Sequence, residues 1–65
     1  MKAIIHENYI IPISSVNFIH WANPKEIKVY LKSPIAGRDY VCLHYDESDE
    51  CAIAYNDMLM MFRYA

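Results

Sequence analysis

The sequence predicts an α+β fold: an antiparallel β-meander of four to five strands packed by one C-terminal helix. Three observations carry that prediction. Residues 26–32 alternate strictly between apolar and polar side chains. The first 45 residues are rich in β-branched and aromatic types, broken by Pro, Asn, Ser and a single Gly. After an acidic run at Asp46–Glu50, the remaining residues change to helix-forming types with apolar positions three and four apart. At 65 residues the chain has room for one core, so residues 1–65 are expected to form a single domain.

Each element follows from local chemistry. Residues 2–6 form an apolar strand, and Glu7-Asn8 turns it into a second strand over residues 9–13. Pro12 donates no amide hydrogen, which places that strand at an edge or ends it, and Ser14-Ser15 kink the chain onward. Residues 16–22 make a third strand, closed by the turn Asn23-Pro24. Residues 26–32 follow with Ile27, Val29 and Leu31 facing inward and Lys28, Tyr30 and Lys32 outward. A turn over residues 33–37 contains the only glycine, at a place where positive φ is often needed. Residues 38–45 alternate again, with Val41, Leu43 and Tyr45 opposed to Tyr40, Cys42 and His44.

The helix is expected over residues 48–64, with capping side chains in the acidic run and carboxylates beside its positive end. At 100° per residue, Ala52, Tyr55, Leu59 and Phe62 share the face that covers the sheet, widened by Cys51, Ala54, Met58 and Met61. Ile53, Met60 and Tyr64 fall on the opposite side. They are the candidate interface, because a core this small barely offsets the entropy of ordering the chain and gains from a partner. A homo-oligomer is therefore expected.

The outward sheet residues Lys28, Tyr30, Lys32, Tyr40 and His44, with Cys42 beside them, are a second candidate surface. Either His20 or Trp21 joins them, according to the register of the third strand. Interleaved cations and rings are the mixture with which single-stranded nucleic acid is bound, bases stacking on the rings and lysines meeting phosphates. A solvated face of cross-strand tyrosines explains the same residues without a ligand. The net charge of −2 gives no general attraction to phosphate backbones or anionic lipid.

No catalytic or metal site is predicted. Ser14-Ser15 read as a turn, Cys42 as a small hydrophobe and Asp46–Glu50 as helix capping, so no enzyme activity is expected. Cys42 and His44 share a strand face, and His6, His20 or Cys51 could complete a ligand set, but no pair has the tight spacing of structural zinc sites. No cofactor is implied. The apolar run after Met1-Lys2 is interrupted by His6, Glu7 and Asn8 too early for a signal-peptide core, and nothing approaches a membrane span. Cys42 and Cys51 then read as reduced thiols, and a cytoplasmic location is expected.

Tyr9 to Ile19, together with Lys28-Val29-Tyr30-Leu31 and Arg38-Asp39-Tyr40-Val41, resembles two groups. One is the set of short uncharacterised bacterial and phage proteins built as a β-meander with a C-terminal helix; that resemblance spans nearly the whole chain and implies no activity. The other is the LytTR-type DNA-binding domain, whose early strands show a similar isoleucine-proline, serine, apolar-strand pattern. That family contacts DNA through basic loops, which this chain lacks after Tyr45, and no functional residue carries over. The function expected is that of a small non-catalytic binding protein. It acts on an unidentified protein, or holds a small molecule at a subunit boundary; a phage-type inhibitor of a host defence system is one specific form. The alternative is nucleic-acid binding through the Lys/Tyr sheet face, and a small enzyme or metal-binding protein comes third.

Overall fold

The computed structural model describes residues 2–35 and 37–64. Among these run strands β1 (Ala3–His6) and β2 (Tyr9–Pro12), a 3₁₀ turn (Ile13–Ser15), strands β3 (Val16–Asn23), β4 (Glu26–Ile35) and β5 (Arg38–His44), and helix α1 (Ser48–Arg63). The α+β class and the order of elements are those the sequence predicts. The strands divide into two antiparallel sheets, a β1–β2 hairpin and a meander ordered β3-β4-β5. The division falls at Pro12. The Ile13 amide reaches back to the Lys2 carbonyl at 3.0 Å, closing the hairpin, and the 3₁₀ turn redirects the chain before β3 begins.

The turns are set by individual side chains. Glu7 sits at φ 49°, in the left-handed region that non-glycine residues enter at a cost. Asn23 Oδ1 accepts the Lys25 amide at 3.0 Å, an Asx turn that leads β3 into β4. Gly37 has φ 80°, as its position in the last turn requires. Ser33 and Pro34, expected in that turn, belong instead to β4, and Ala36 lies outside the described residues. Pro34 is tolerated there because the register between β4 and β5 is irregular from Tyr30 to Ile35, so it occupies no regular rung.

One cluster of buried side chains holds both sheets and the helix together. The hairpin contributes Ile4 and Ile11, the meander Val16, Ile27, Val29, Leu31 and Leu43, and the helix Cys51 and Met58. The inward set predicted for residues 26–32 is confirmed. Each such side chain contributes roughly 1.5–3 kcal/mol relative to an exposed one. On the helix the buried arc is rotated about 60° from the expected face. Its centre is Cys51 and Met58, flanked by Ala54, Tyr55, Met61 and Phe62, while Leu59 is exposed. Apolar residues occupy most of this helix's circumference, so composition alone leaves its phase open.

The N-cap of α1 is Glu47, extended at φ −122° and ψ 141°, and it makes no side-chain capping bond, contrary to expectation. Its glutamate side chain is one methylene longer than the residue types that reach the N2 or N3 amide. Asp49 and Glu50 in the first turn and Arg63 in the last still complement the helix dipole. At one flank the Trp21 ring of β3 packs on Tyr55, with centroids 5.0 Å apart. At the other end Lys2 Nζ donates to the Tyr64 carbonyl at 2.6 Å.

Candidate functional site

The helix face opposite the core carries Ile53, Met60 and Tyr64, all exposed, with Asp57 between them. The hairpin extends this apolar surface in a way that sequence reading missed. Ile5 and Ile10 are cross-strand partners, 74% and 73% exposed. Their neighbours Ile4 and Ile11 take the core side, so the signal was present: in a doublet of isoleucines on a strand, one must face away from the core. Two depressions lie along the helix, and the first of them also reaches the hairpin. One lies between Ile5, Asp57 and Met61, the other between Asp57, Met60, Met61 and Tyr64.

The outer face of the meander is a row of rings. Phe18 of β3 stacks on Tyr30 of β4 at 4.4 Å with a 15° interplanar angle, and Tyr30 meets Tyr40 of β5 at 5.6 Å. Lys28 Nζ lies 5.5 Å from the Tyr40 ring centroid, within cation–π range. Register settles the third strand's contribution. His20 pairs with Lys28 and faces outward, whereas Trp21 pairs with Ile27 and turns toward the helix. Phe18 was not anticipated, because Val16 pairs with Leu31 and Phe18 with Tyr30, leaving Asn17 as an extra residue. That bulge reverses the inward–outward parity, and no residue preference marks it.

Of the remaining predicted sheet residues, His44 Nδ1 sits 3.3 Å from Glu26 Oε2, directly across the ladder. Lys32 stands apart from the ring row. It borders a separate depression with Ser14, Ser15 and Pro34, beyond the regular part of β4.

Cys42 and Cys51 are both free thiols. Cys42 lies on the outer sheet face opposite Lys28, and Cys51 lies in the core beneath the helix, so the two cannot serve one site. Among the described residues no three His, Cys, Asp or Glu side chains gather as metal ligands. Burial pushes the Cys51 thiol above its ordinary value, opposed by a hydrogen bond from Trp21. Burial also raises the Tyr45 hydroxyl, and the neighbouring Cys51 adds to that effect. Among the described residues no polar or charged side chain is buried.

Against family models, curated proteins and solved structures, the chain finds no match. No helix among the described residues is long and apolar enough to cross a membrane.

Proposed function

We propose that this chain is a small non-catalytic binding protein that works through protein–protein contacts, first of all with a second copy of itself. The observation that carries the reading is the set of exposed apolar side chains Ile53, Met60 and Tyr64 on one helix face, with the exposed cross-strand pair Ile5 and Ile10 on the hairpin that a depression at Ile5, Asp57 and Met61 joins to the helix. Side chains of this kind scattered singly are ordinary, but three on one helix face beside an exposed isoleucine pair on the hairpin fit an interface. A standard interface of about 800 Å² per partner takes roughly a sixth of the 4652 Å² surface, an area the helix and hairpin can supply together. Pairing of two copies also builds a boundary cleft for a small molecule that one copy lacks.

Free Cys42 and Cys51 support a reducing, cytoplasmic setting. Blocking a macromolecular partner, as a phage-type inhibitor of a host defence system does, is the specific form this reading takes. The test is Met60→Asp: it abolishes self-association and partner binding if the helix surface carries them. Unchanged association in that variant and in Ile53→Asp overturns the reading. The stacked row Phe18–Tyr30–Tyr40 favours a second reading, single-strand nucleic-acid binding on the sheet. Under that reading oligonucleotide affinity falls with salt and with Lys28→Glu combined with Lys32→Glu, and Met60→Asp leaves it unchanged.

A further inference from the structure

We infer that the cleft between β2 and β5 receives a single extended peptide from a partner protein, which adds as a strand and joins the two sheets into one. The inference rests on the binding-protein reading and names how one class of partner is held.

The backbone pairing fixes which peptide groups face the cleft. The Tyr45 amide bonds to the Lys25 carbonyl at 2.9 Å, so these opposed residues form a hydrogen-bonded pair. Bonded and non-bonded pairs alternate along an antiparallel ladder. Glu26 with His44, Lys28 with Cys42 and Tyr30 with Tyr40 are therefore non-bonded pairs, so the peptide groups of their β5 members point away from β4. Since β5 ends its sheet, the N–H and C=O of Tyr40 and Cys42 and the N–H of His44 lie on an open edge. The His44 carbonyl agrees with this assignment: it leaves the sheet to meet His6 Nε2 at 2.9 Å.

The same reasoning applies to the hairpin. The Ile13 amide bonds to the Lys2 carbonyl, so Ile10 opposite Ile5 is a non-bonded pair and the Ile10 peptide groups point away from β1. Ile10 and its neighbours Tyr9 and Ile11 form one wall of the cleft, and Tyr40, Cys42 and His44 the other. The space is about 530 Å³. Among the described residues no backbone hydrogen bond crosses it. The core seam opens at the same place. Val41 faces inward but is only half-buried, while its neighbours Val29 and Leu43 are fully enclosed.

These features specify the occupant. From Tyr40 to His44 a strand advances about 13 Å at ~3.3 Å per residue, which matches a segment of about five residues. Alternate side chains meet Ile11 and Val41 on the core side, so they are apolar; the others lie on the open side near Tyr40. Both walls are strand edges, so the incoming strand must have both of its own edges free. That excludes a second copy of this chain, whose described strands are each already paired in a sheet. A tail or an extended loop of another protein meets the requirement.

The probe is a displayed random heptapeptide library selected against the intact protein, followed by amide hydrogen exchange with the best synthetic peptide. Enrichment of alternately apolar sequences is expected, with exchange at Ile10, Tyr40 and Cys42 slowed at least tenfold. N-methylation of either of two consecutive central amides in the peptide weakens binding at least tenfold, because successive groups bond to opposite walls. Failure to enrich any peptide overturns the inference, as does a bound peptide that leaves those three amides exchanging at their free rates. Peptide binding that is lost in Met60→Asp places the contact on the helix surface. That outcome sinks the cleft while sparing the binding-protein reading; self-association, measured separately, reports on that reading.

Discussion

Replacing Leu43 by Ala removes a side chain that is 0% exposed, on the outer strand of the meander directly opposite Ile27 and within the core cluster shared with the helix. Truncation of this kind costs about 2–5 kcal/mol, the upper end applying where neighbours cannot collapse into the space. Leu43 packs against fully buried Ile27 and Val29 of β4 but has half-buried Val41 and Tyr45 beside it on its own side, so the middle of that range is expected. The whole domain has only about 3–10 kcal/mol available at ~0.05–0.15 kcal/mol per residue. Leu43→Ala thus removes much or all of it. Urea unfolding followed by circular dichroism measures the loss, with Ile5→Ala as the control. Ile5 is 74% exposed, and its truncation shifts stability by no more than about 0.5 kcal/mol in the isolated chain. Both variants are to be run at two protein concentrations, since association raises the midpoint with concentration. A Leu43→Ala loss below about 1 kcal/mol refutes the placement of the core.

Other perturbations address local features. Glu47→Asp places a capping carboxylate on backbone that is already extended at the N-cap, and about 0.5–1 kcal/mol of added stability is expected in the same unfolding assay. Glu7→Asn puts a residue that tolerates the left-handed region at φ 49° and raises stability by about 0.5 kcal/mol; a loss contradicts the turn geometry. Cys51 and Tyr45 are both held above their ordinary values of 9.0 and 10.0, so the folded state favours their protonated forms. Their contribution is complete at neutral pH and is lost as pH rises past about 9 through the raised values, which pH-dependent urea midpoints detect. Cys51→Ala removes the earlier part of that decline.

Much of the fold was legible because strand periodicity is a local property. The alternation from Glu26 to Lys32 placed Ile27, Val29 and Leu31 in the core, Pro12 marked the end of the hairpin, and Gly37 took the positive φ its turn needs. What escaped depends on pairing. The bulge at Asn17 turns Phe18 outward to complete the ring row, although its spacing from Val16 assigns it to the core. The helix phase could not be read because Leu59 and Met58 are equally apolar, and only docking on the meander selects Met58. The exposure of Ile53, Met60 and Tyr64 was legible because they stand opposite that whole arc. The exposed pair Ile5 and Ile10 emerged only once the hairpin register was known. The cleft beside β5 is a property of two sheets that do not meet, and no run of residues announces it.

The central claim is that the apolar surface on the helix and hairpin is made to be covered. Sedimentation velocity of the unaltered protein, from about 100 µM down to low micromolar, tests it most directly. A species of twice the 7.7 kDa chain mass that persists on dilution, and that Met60→Asp converts to monomer, is the predicted result. A monomer throughout that range contradicts the account.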